Sequence, residues 1–200
     1  GLERGTGEWR GRIDGKDVRQ LSDFSVYLPL IIMEPNSHAL VSGAPELRRR
    51  FMDWGVFHVK HEFLEHWRAF TRALRQRNAA LRIGDRALLA SVDAPFVRHG
   101  QKIDEMRRQE IGQLIERLQM LLKRLSPDLV PVEATYRPGW SGDSLAESLA
   151  AKIDLDLERG STGQGPHRAD LQLRCDRVLA RERLSRGEQK ILAAALIIAQ

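Results

Sequence analysis

The chain has 200 residues, enough to bury the core of one domain or two small ones. Its 32 basic and 27 acidic side chains leave a net charge of +5, and 42% apolar with 30% charged residues is typical of a globular protein rather than a disordered or fibrous one. The longest apolar run, 191–199, spans nine residues, whereas a membrane helix needs roughly 18–20. The sequence therefore predicts no membrane span. With one cysteine, Cys175, and no signal segment at its start, we expect a reducing, cytoplasmic setting.

Strand patterns open the chain. Residues 9–13 precede Asp14-Gly15, a dipeptide that favours a two-residue hairpin turn because it tolerates positive φ angles. The compact apolar run 27–33 predicts a buried strand, and residues 36–45, rich in Ser, Gly and Pro, predict a loop. This first segment of 1–35 is interpreted as strands of a larger lobe.

The pattern becomes helical at Pro45, a residue favoured in the first turn of a helix. On this first helix we expect Leu47, Phe51 and Trp54 to share the core-facing side. A second helix is predicted over 63–81, with Phe63, Trp67 and Phe70 on its apolar face. Beyond Pro95, apolar spacing over 103–125 predicts a third helix of about eight turns. We expect the second and third helices to pair as an antiparallel arm within a 36–128 domain.

The remaining segment, 129–200, alternates between strand and helix patterns. Strand periodicity at 130–137 is followed by a helical pattern that ends at Gly160. Residues 161–166, of composition Ser-Thr-Gly-Gln-Gly-Pro, predict a flexible loop before a second strand at 171–175. A final helix is predicted from Ser185. The whole order indicates an α/β fold with an inserted α-helical arm.

The strongest chemical signal is Leu-Ser-Arg-Gly-Glu-Gln-Lys at 184–190. Ser185 followed by Glu188 forms a capping box, and the start of a helix presents unpaired N–H groups that attract anions such as phosphate. The alternative is that Ser185 only caps its own helix. The complete string resembles the signature motif of the ABC-type ATPases, in the form found in SMC-like repair proteins.

Three further segments carry a resemblance: Gly-Ala-Pro-Glu-Leu-Arg-Arg-Arg-Phe-Met-Asp at 43–53, Gln-Arg-Asn-Ala-Ala-Leu at 76–81 and Gly-Pro-His-Arg-Ala-Asp-Leu at 165–171. Together they resemble the family of the bacterial DNA replication and repair protein RecF. The resemblance implies part of an ABC/SMC-type P-loop ATPase head with a helical arm. It also implies that the signature residues Ser185, Arg186, Gly187 and Glu188 contact ATP bound, with Mg²⁺, to a second subunit.

The same resemblance implies a function in DNA repair, DNA replication and the SOS response to DNA damage. We expect an ATP-dependent homodimeric clamp on double-stranded DNA at single-strand gaps and junctions, which assists RecO and RecR in loading RecA. This chain contains neither the Gly-x-x-x-x-Gly-Lys-Ser/Thr string of a Walker A loop nor a Walker B strand. We therefore expect a piece of a longer, weakly ATP-hydrolysing protein, and no hydrolysis by this chain alone. Asn36 also departs from the family, which has an acid there.

The excess positive charge lies in one stretch. Between Glu46 and Arg82 there are nine basic and four acidic residues, a net of +5. We interpret this stretch as a contact surface for the DNA backbone, whose phosphates bind Arg and Lys regardless of base sequence. The candidate phosphate contacts are Arg48, Arg49, Arg68, Arg72 and Arg75. Arg50 and Arg77 are each flanked by core positions, and one or the other is expected to be structural.

Two other functions fit parts of the sequence. One is a basic helical module that binds DNA or protein and has no nucleotide role. The other is a metal-dependent enzyme built on His58, His61, Glu62 and Glu65, although His61 and His66 miss the four-residue spacing of a zinc-protease helix. Cys175 is interpreted as a core residue of its strand, because no His or Asn partner is identifiable by spacing.

Overall fold

A computed structural model describes residues 2–4, 9–18, 33–129 and 131–200. Its first sheet is antiparallel in the order β1 (Leu2–Arg4), β2 (Trp9–Ile13) and β3 (Lys16–Val18). The predicted turn joins β2 to β3, with φ angles of 49° at Asp14 and 79° at Gly15, as a two-residue hairpin requires. The strand predicted over 27–33 lies outside the described residues except for its last residue.

Four helices follow, and they include the arm. They are α1 (Ala39–Ser42), α2 (Pro45–Val59), α3 (Phe63–Ile83) and α4 (Arg86–Leu125). The prediction that 36–45 is a loop is wrong at α1, one short turn whose Val41 is buried. Helices α3 and α4 form the predicted antiparallel arm, joined at Gly84, whose φ of 75° ends α3 in the left-handed conformation.

Two predicted apolar faces differ from the observed ones. On α2 the buried residues are Arg48, Met52, Val56 and Phe57, while Leu47 is exposed and Phe51 and Trp54 are half-buried. The difference of about one residue arises because a buried arginine occupies the position that hydrophobicity alone assigns to leucine. On α3, Trp67 is 40% exposed rather than core-facing.

Helix α4 begins earlier than predicted. Asp85 caps it by accepting a hydrogen bond from the Leu88 amide at 2.9 Å, and Pro95 lies inside the helix. A proline in a helix interior costs about 3 kcal/mol. Burial of Val92 and Phe96 on either side offsets that cost, so the helix continues through the proline.

The rest of the chain builds a second antiparallel sheet with helices around it. Its strands are β4 (Val132–Arg137), β5 (Asp170–Cys175) and β6 (Val178–Leu179), in that order. Among the described strands β4 therefore lies at an edge, as Pro131 predicts. The helices are α5 (Leu145–Ala151), α6 (Ile153–Arg159), α7 (Ala180–Arg183) and α8 (Arg186–Ala199), with a 3-10 turn at Pro166–Arg168.

Three apolar clusters hold these elements together, and α4 contributes to each. Near its start, Leu89 packs with Ala80 and Leu81 of α3. In its middle, Phe96 and Ile103 pack with residues of α2, α3 and α5. Its last four or so turns pack against β4, β5 and α8 through Ile111, Leu114, Leu118 and Leu122.

A buried ion pair fastens the arm to the second half of the chain. The Arg77 side chain is fully buried, and its Nη1 lies 2.8 Å from Oδ2 of Asp156 in α6, itself buried. Arg77 Nε donates to Oδ1 of Asp93 in α4 at 2.8 Å, and Arg77 Nη1 also donates to Thr162 Oγ1 at 2.9 Å. The prediction that Arg77 is structural is confirmed. Arg50, in contrast, is exposed and pairs with Glu46 on the surface.

Replacing Arg77 with methionine leaves the buried Asp156 carboxylate without its cation. Removing one member of a buried ion pair costs about 3–5 kcal/mol, so we expect Arg77→Met to lower the free energy of unfolding by that amount in urea titrations. Arg86→Met is the matched control, because the Arg86–Asp154 pair is 66% and 86% exposed and its loss costs less than about 1 kcal/mol. Equal effects of the two substitutions would contradict this account of the arm.

Candidate functional site

The signature segment lies exposed at the start of α8. Ser185 Oγ accepts a hydrogen bond from the Glu188 amide at 3.3 Å, and Glu188 Oε2 accepts one from the Ser185 amide at 2.7 Å. The predicted capping box is therefore present, and these hydrogen bonds lower the pKa of Glu188. Ser185, Arg186 and Gly187 are all exposed. The Arg186 and Gly187 amides, in the first turn, have no acceptor within the helix.

A β-hairpin and a buried glutamine hold the residues that lead to Ser185. Strands β5 and β6 are joined by Asp176 and Arg177, with positive φ angles of 49° and 67°, as a two-residue hairpin turn requires even without glycine. Buried Gln189 then donates through Nε2 to the carbonyl oxygens of Arg181 at 3.2 Å and Leu184 at 2.9 Å. These hydrogen bonds hold the residues just before Ser185 in place on their buried side.

Gly187 has no role in packing within the described residues. A Cβ added to it would meet one atom, Ser185 Oγ, at 4.0 Å, which is an ordinary contact distance. Glycine within a helix costs roughly 0.5–1 kcal/mol relative to alanine. The absence of a side chain therefore leaves open space above the free amides of the first turn, where an anion has room to approach.

The three segments that resemble one family meet in space around residues 161–170. Arg77 and Asn78 contact Thr162, whose amide and hydroxyl both donate to Asn78 Oδ1, at 2.8 and 2.7 Å. Arg107 of α4 donates through Nη1 to the Pro166 carbonyl at 2.8 Å. Residues 161–165 form a loop, as predicted, but the flexibility expected of it does not agree with Thr162, which is buried and hydrogen-bonded on several sides.

The region around residues 161–170, where these segments meet, is called the junction below. Two arginines predicted to bind DNA lie in it. Arg48 is buried, and its guanidinium binds both carboxylate oxygens of Asp170, at 2.7 and 3.2 Å, and the Gly43 carbonyl at 2.9 Å. A guanidinium enclosed in this way is not available to DNA. The prediction that Arg48 contacts DNA is therefore wrong. Arg49 is half-buried and donates to the Ala169 carbonyl at 2.9 Å.

The other three predicted DNA contacts share one face of α3. Arg68, Arg72 and Arg75 are exposed and follow one another at spacings of four and three residues, which places them in a single stripe. Together with Trp67, Thr71 and Gln76 they line a shallow surface groove. The arrangement presents cations and one aromatic ring to the same side of the arm, and we name it the α3 stripe.

Sequence reasoning missed several residues of the junction. Arg107 lies 2.7 Å from Asp53 and bridges α2, α4 and the 3-10 turn, yet it lies in a charged helix where nothing distinguishes it from exposed arginines. Asp93 and Asp156 likewise look like surface acids in their helices. The signal that could have found them is their i,i+3 or i,i+4 spacing from buried apolar residues, which puts them on the inner side of the helix.

No group of three or more His, Cys, Asp or Glu side chains arranged to hold a metal occurs within the part of the chain that the structure describes. His66 instead pairs with His99 across the arm, with 3.0 Å between their Nδ1 atoms. Cys175 is buried in β5, as expected of a core residue.

Among the described residues, no helix combines the length and apolar character needed to cross a lipid bilayer.

The fold defines the class of protein. Two solved structures of the recombination mediator protein RecF in the RecFOR pathway, described as RecF-ATP and RecF-ATPrS, superpose with TM-scores of 0.85 and 0.87 at 19% identity over 96% of this chain. The matched residues make up 55% and 56% of those two solved chains. The shared fold is that of an ABC/SMC-type ATPase head. The sequence predictions of fold class and helical arm are confirmed.

Curated relatives give the family. DNA replication and repair protein RecF of Xanthomonas oryzae pv. oryzae (strain MAFF 311018) is 40% identical over all of this chain and 56% of its own length. RecF of Stutzerimonas stutzeri (strain A1501) is 43% identical over 98% of the chain and 53% of its own length. No family model matches the sequence. The chain belongs to the RecF family and spans about half the length of the curated relatives it matches.

His167 makes the junction sensitive to acid. Burial lowers the pKa of His167 to about 4, below its ordinary 6.5, and its Nε2 lies 3.0 Å from the Thr162 carbonyl. Between these two values the unfolded chain binds a proton that the folded chain excludes. We therefore expect the free energy of unfolding to fall as the pH drops from 6.5 to 4, by at most about 3 kcal/mol.

We expect His167→Gln, which keeps a donor for the Thr162 carbonyl, to flatten this part of the stability profile. The measurement is the free energy of unfolding at several pH values for both proteins, since their difference isolates His167 from other titrating groups. Parallel profiles for the two proteins would show that His167 is not the source of the acid sensitivity.

Proposed function

We propose that this chain provides the helical arm, within 36–128, and the signature-bearing lobe, 129–200, of an ATP-dependent DNA clamp. In this function Ser185 and Gly187, supported by Arg186 and Glu188, contact the γ-phosphate of ATP held with Mg²⁺ by a second subunit. The α3 stripe contacts the backbone of double-stranded DNA. Closure on ATP then joins two heads around the duplex, and hydrolysis releases them.

The observation that carries the nucleotide role is the exposed first turn of α8. Its free amides, the small residue Gly187 and the positive end of the helix dipole together favour an anion. Glycine at this place stabilises nothing inside the described residues. A phosphate brought by another subunit is a physical reason for leaving the position without a side chain. In this proposal the phosphate belongs to nucleotide held by the second subunit.

The DNA role depends on the α3 stripe. Three arginines on one helix face follow a phosphate backbone without reading bases, and such binding releases counterions and weakens with salt. Trp67, 40% exposed beside them, offers an apolar surface against sugar atoms. Arg49 is kept as a further candidate contact, at the edge of the junction.

RecF-family membership supports the biological setting of this proposal. We infer that the protein acts in DNA replication and recombinational repair, and that the clamp marks double-stranded DNA next to single-strand gaps. There it assists RecO and RecR in loading RecA. The solved RecF structures are described as members of the RecFOR pathway, which supports RecO and RecR as the partners.

The nucleotide role is tested by separating capping from phosphate binding at Ser185. Asp caps helices as well as Ser does, but its carboxylate repels a phosphate. We therefore expect Ser185→Asp to leave the free energy of unfolding of this chain within about 0.5 kcal/mol and to abolish ATP-driven dimerisation. Ser185→Arg, which adds bulk at the same place, should also block dimerisation.

Dimerisation is measured by light scattering in a protein that carries a Walker A loop, such as a chimera in which this chain replaces the matching segment of the Xanthomonas oryzae relative. Ser185→Ala is the reverse control, because it loses the cap, at a cost of about 1 kcal/mol, without introducing a negative charge. If Ser185→Asp dimerised with unchanged ATP dependence, Ser185 would be a helix cap and nothing more.

The DNA role is tested on the α3 stripe. Replacing Arg68, Arg72 and Arg75 together with glutamine removes three phosphate contacts, so we expect the slope of log Kd against log salt concentration to become shallower by about three. Fluorescence anisotropy with a labelled duplex at several salt concentrations gives this slope.

The matched control replaces three exposed basic residues outside the stripe, Lys123, Arg124 and Arg177, and removes the same net charge. An equal change in slope for both triple variants would mean that DNA binding depends on total charge and not on this face of α3.

A further inference from the structure

Five guanidiniums and three carboxylates lie where α2 meets the 3-10 turn. Arg48 binds Asp170, Arg107 binds Asp53 with 2.7 Å between Nη2 and Oδ1, and Arg50 pairs with Glu46. Each carboxylate is therefore already engaged by one arginine. The two guanidiniums that remain belong to Arg49 and Arg168.

Arg49 and Arg168 have no carboxylate within 4.0 Å among residues 2–4, 9–18, 33–129 and 131–200. Both are instead anchored to carbonyl oxygens of the same segment, Arg49 through Nη1 to Ala169 at 2.9 Å and Arg168 through Nη2 to Thr162 at 3.4 Å. Each guanidinium uses one nitrogen for this contact. Its other N–H groups are left for an acceptor from outside the described residues.

Among these five guanidiniums and three carboxylates, positive charges exceed negative ones by two. Burial is the main cause that lowers the pKa of Arg49, the Arg107 charge is the next, and Arg168 adds to them; Asp170 and Glu46 act in the opposite direction. The neighbouring His167 adds no charge at pH 7, because its pKa is about 4. The Arg107 and Arg168 charges thus lower the pKa of Arg49 in addition to burial, so both guanidiniums lie close enough to act on it.

We infer that Arg49 and Arg168 form an anion site that takes a phosphoryl group. Guanidinium groups offer paired N–H donors that match phosphate oxygens, and a group with about two negative charges balances the local excess. Arg168 is exposed and Arg49 half-buried, so the site opens to solvent on one side and is fixed on the other. It lies on elements different from those of Ser185 and the α3 stripe.

Pyrophosphate is the probe, because it carries the phosphoryl chemistry without base or sugar. We expect it to bind this chain saturably at constant ionic strength, followed by isothermal titration calorimetry and by the shift of its ³¹P resonance. Arg168→Gln and Arg49→Gln should each weaken binding at least tenfold. Arg124→Gln, exposed at the far end of α4, should leave the Kd unchanged.

Arg168→Lys keeps the charge but loses the fork of donors, so it should bind pyrophosphate more weakly than the wild type and more tightly than Arg168→Gln. Its thermal unfolding also checks that the fold is retained, which we expect for an exposed side chain. Non-saturable binding, or equal Kd values for wild type and both glutamine variants, would overturn the site.

A duplex without nucleotide distinguishes the two sources of a phosphoryl group. If Arg168→Gln weakens pyrophosphate binding and leaves duplex binding unchanged, the site takes the terminal phosphate of a nucleotide or polyphosphate. If both weaken, it takes phosphates of the DNA backbone as well, and either result supports the site. Duplex binding that weakens while pyrophosphate binds every variant equally assigns Arg168 to general attraction and counts against it.

Discussion

The structure depends on a guanidinium that water does not reach. Arg77 belongs to the arm, and its charge is balanced by Asp93 in the arm and by Asp156 on the segment that returns from it. Burying an ion is costly unless its partners are placed well. The arm and the returning segment must therefore adopt one mutual arrangement, because any other would leave the buried charges of Arg77 and Asp156 without compensation in a low-dielectric interior. This constraint holds Thr162 and the residues after it in place, and the strand leading to the signature helix begins from that segment.

The family motifs are explained by this same arrangement. The segments at 43–53, 76–81 and 165–171 are far apart in sequence, yet each contributes to one junction through arginine side chains and main-chain carbonyl oxygens. Arginines in these motifs could be taken for phosphate-binding residues, but in the structure most of them bind carboxylates and carbonyl oxygens of the same chain. The signature segment differs, since Ser185, Arg186, Gly187 and Lys190 face solvent.

The sequence predicted the elements whose signals are local. The capping box at Ser185, the end of α3 at Gly84 and the Asp14-Gly15 turn all depend on residues within a few positions of one another. Errors occurred where distant contacts decide. Composition predicts mobility at 161–166, but Asn78 and Asp156 supply acceptors from other elements. Hydrophobicity places Leu47 inside, but the bidentate contact of Arg48 with Asp170 rotates α2 by one position. Such contacts are not visible before the fold brings the partners together.

Helix α4 has a consequence for how the molecule comes apart. At about 1.5 Å per residue, its 40 residues extend roughly 60 Å, and Leu89, Phe96 and Leu118 along it belong to three different apolar clusters. Melting any one cluster removes packing from a helix that the other two share. We therefore expect cooperative unfolding in a single transition, with hydrogen exchange of the central α4 amides governed by global opening. A long shared helix thus makes the arm and the signature-bearing lobe one thermodynamic unit.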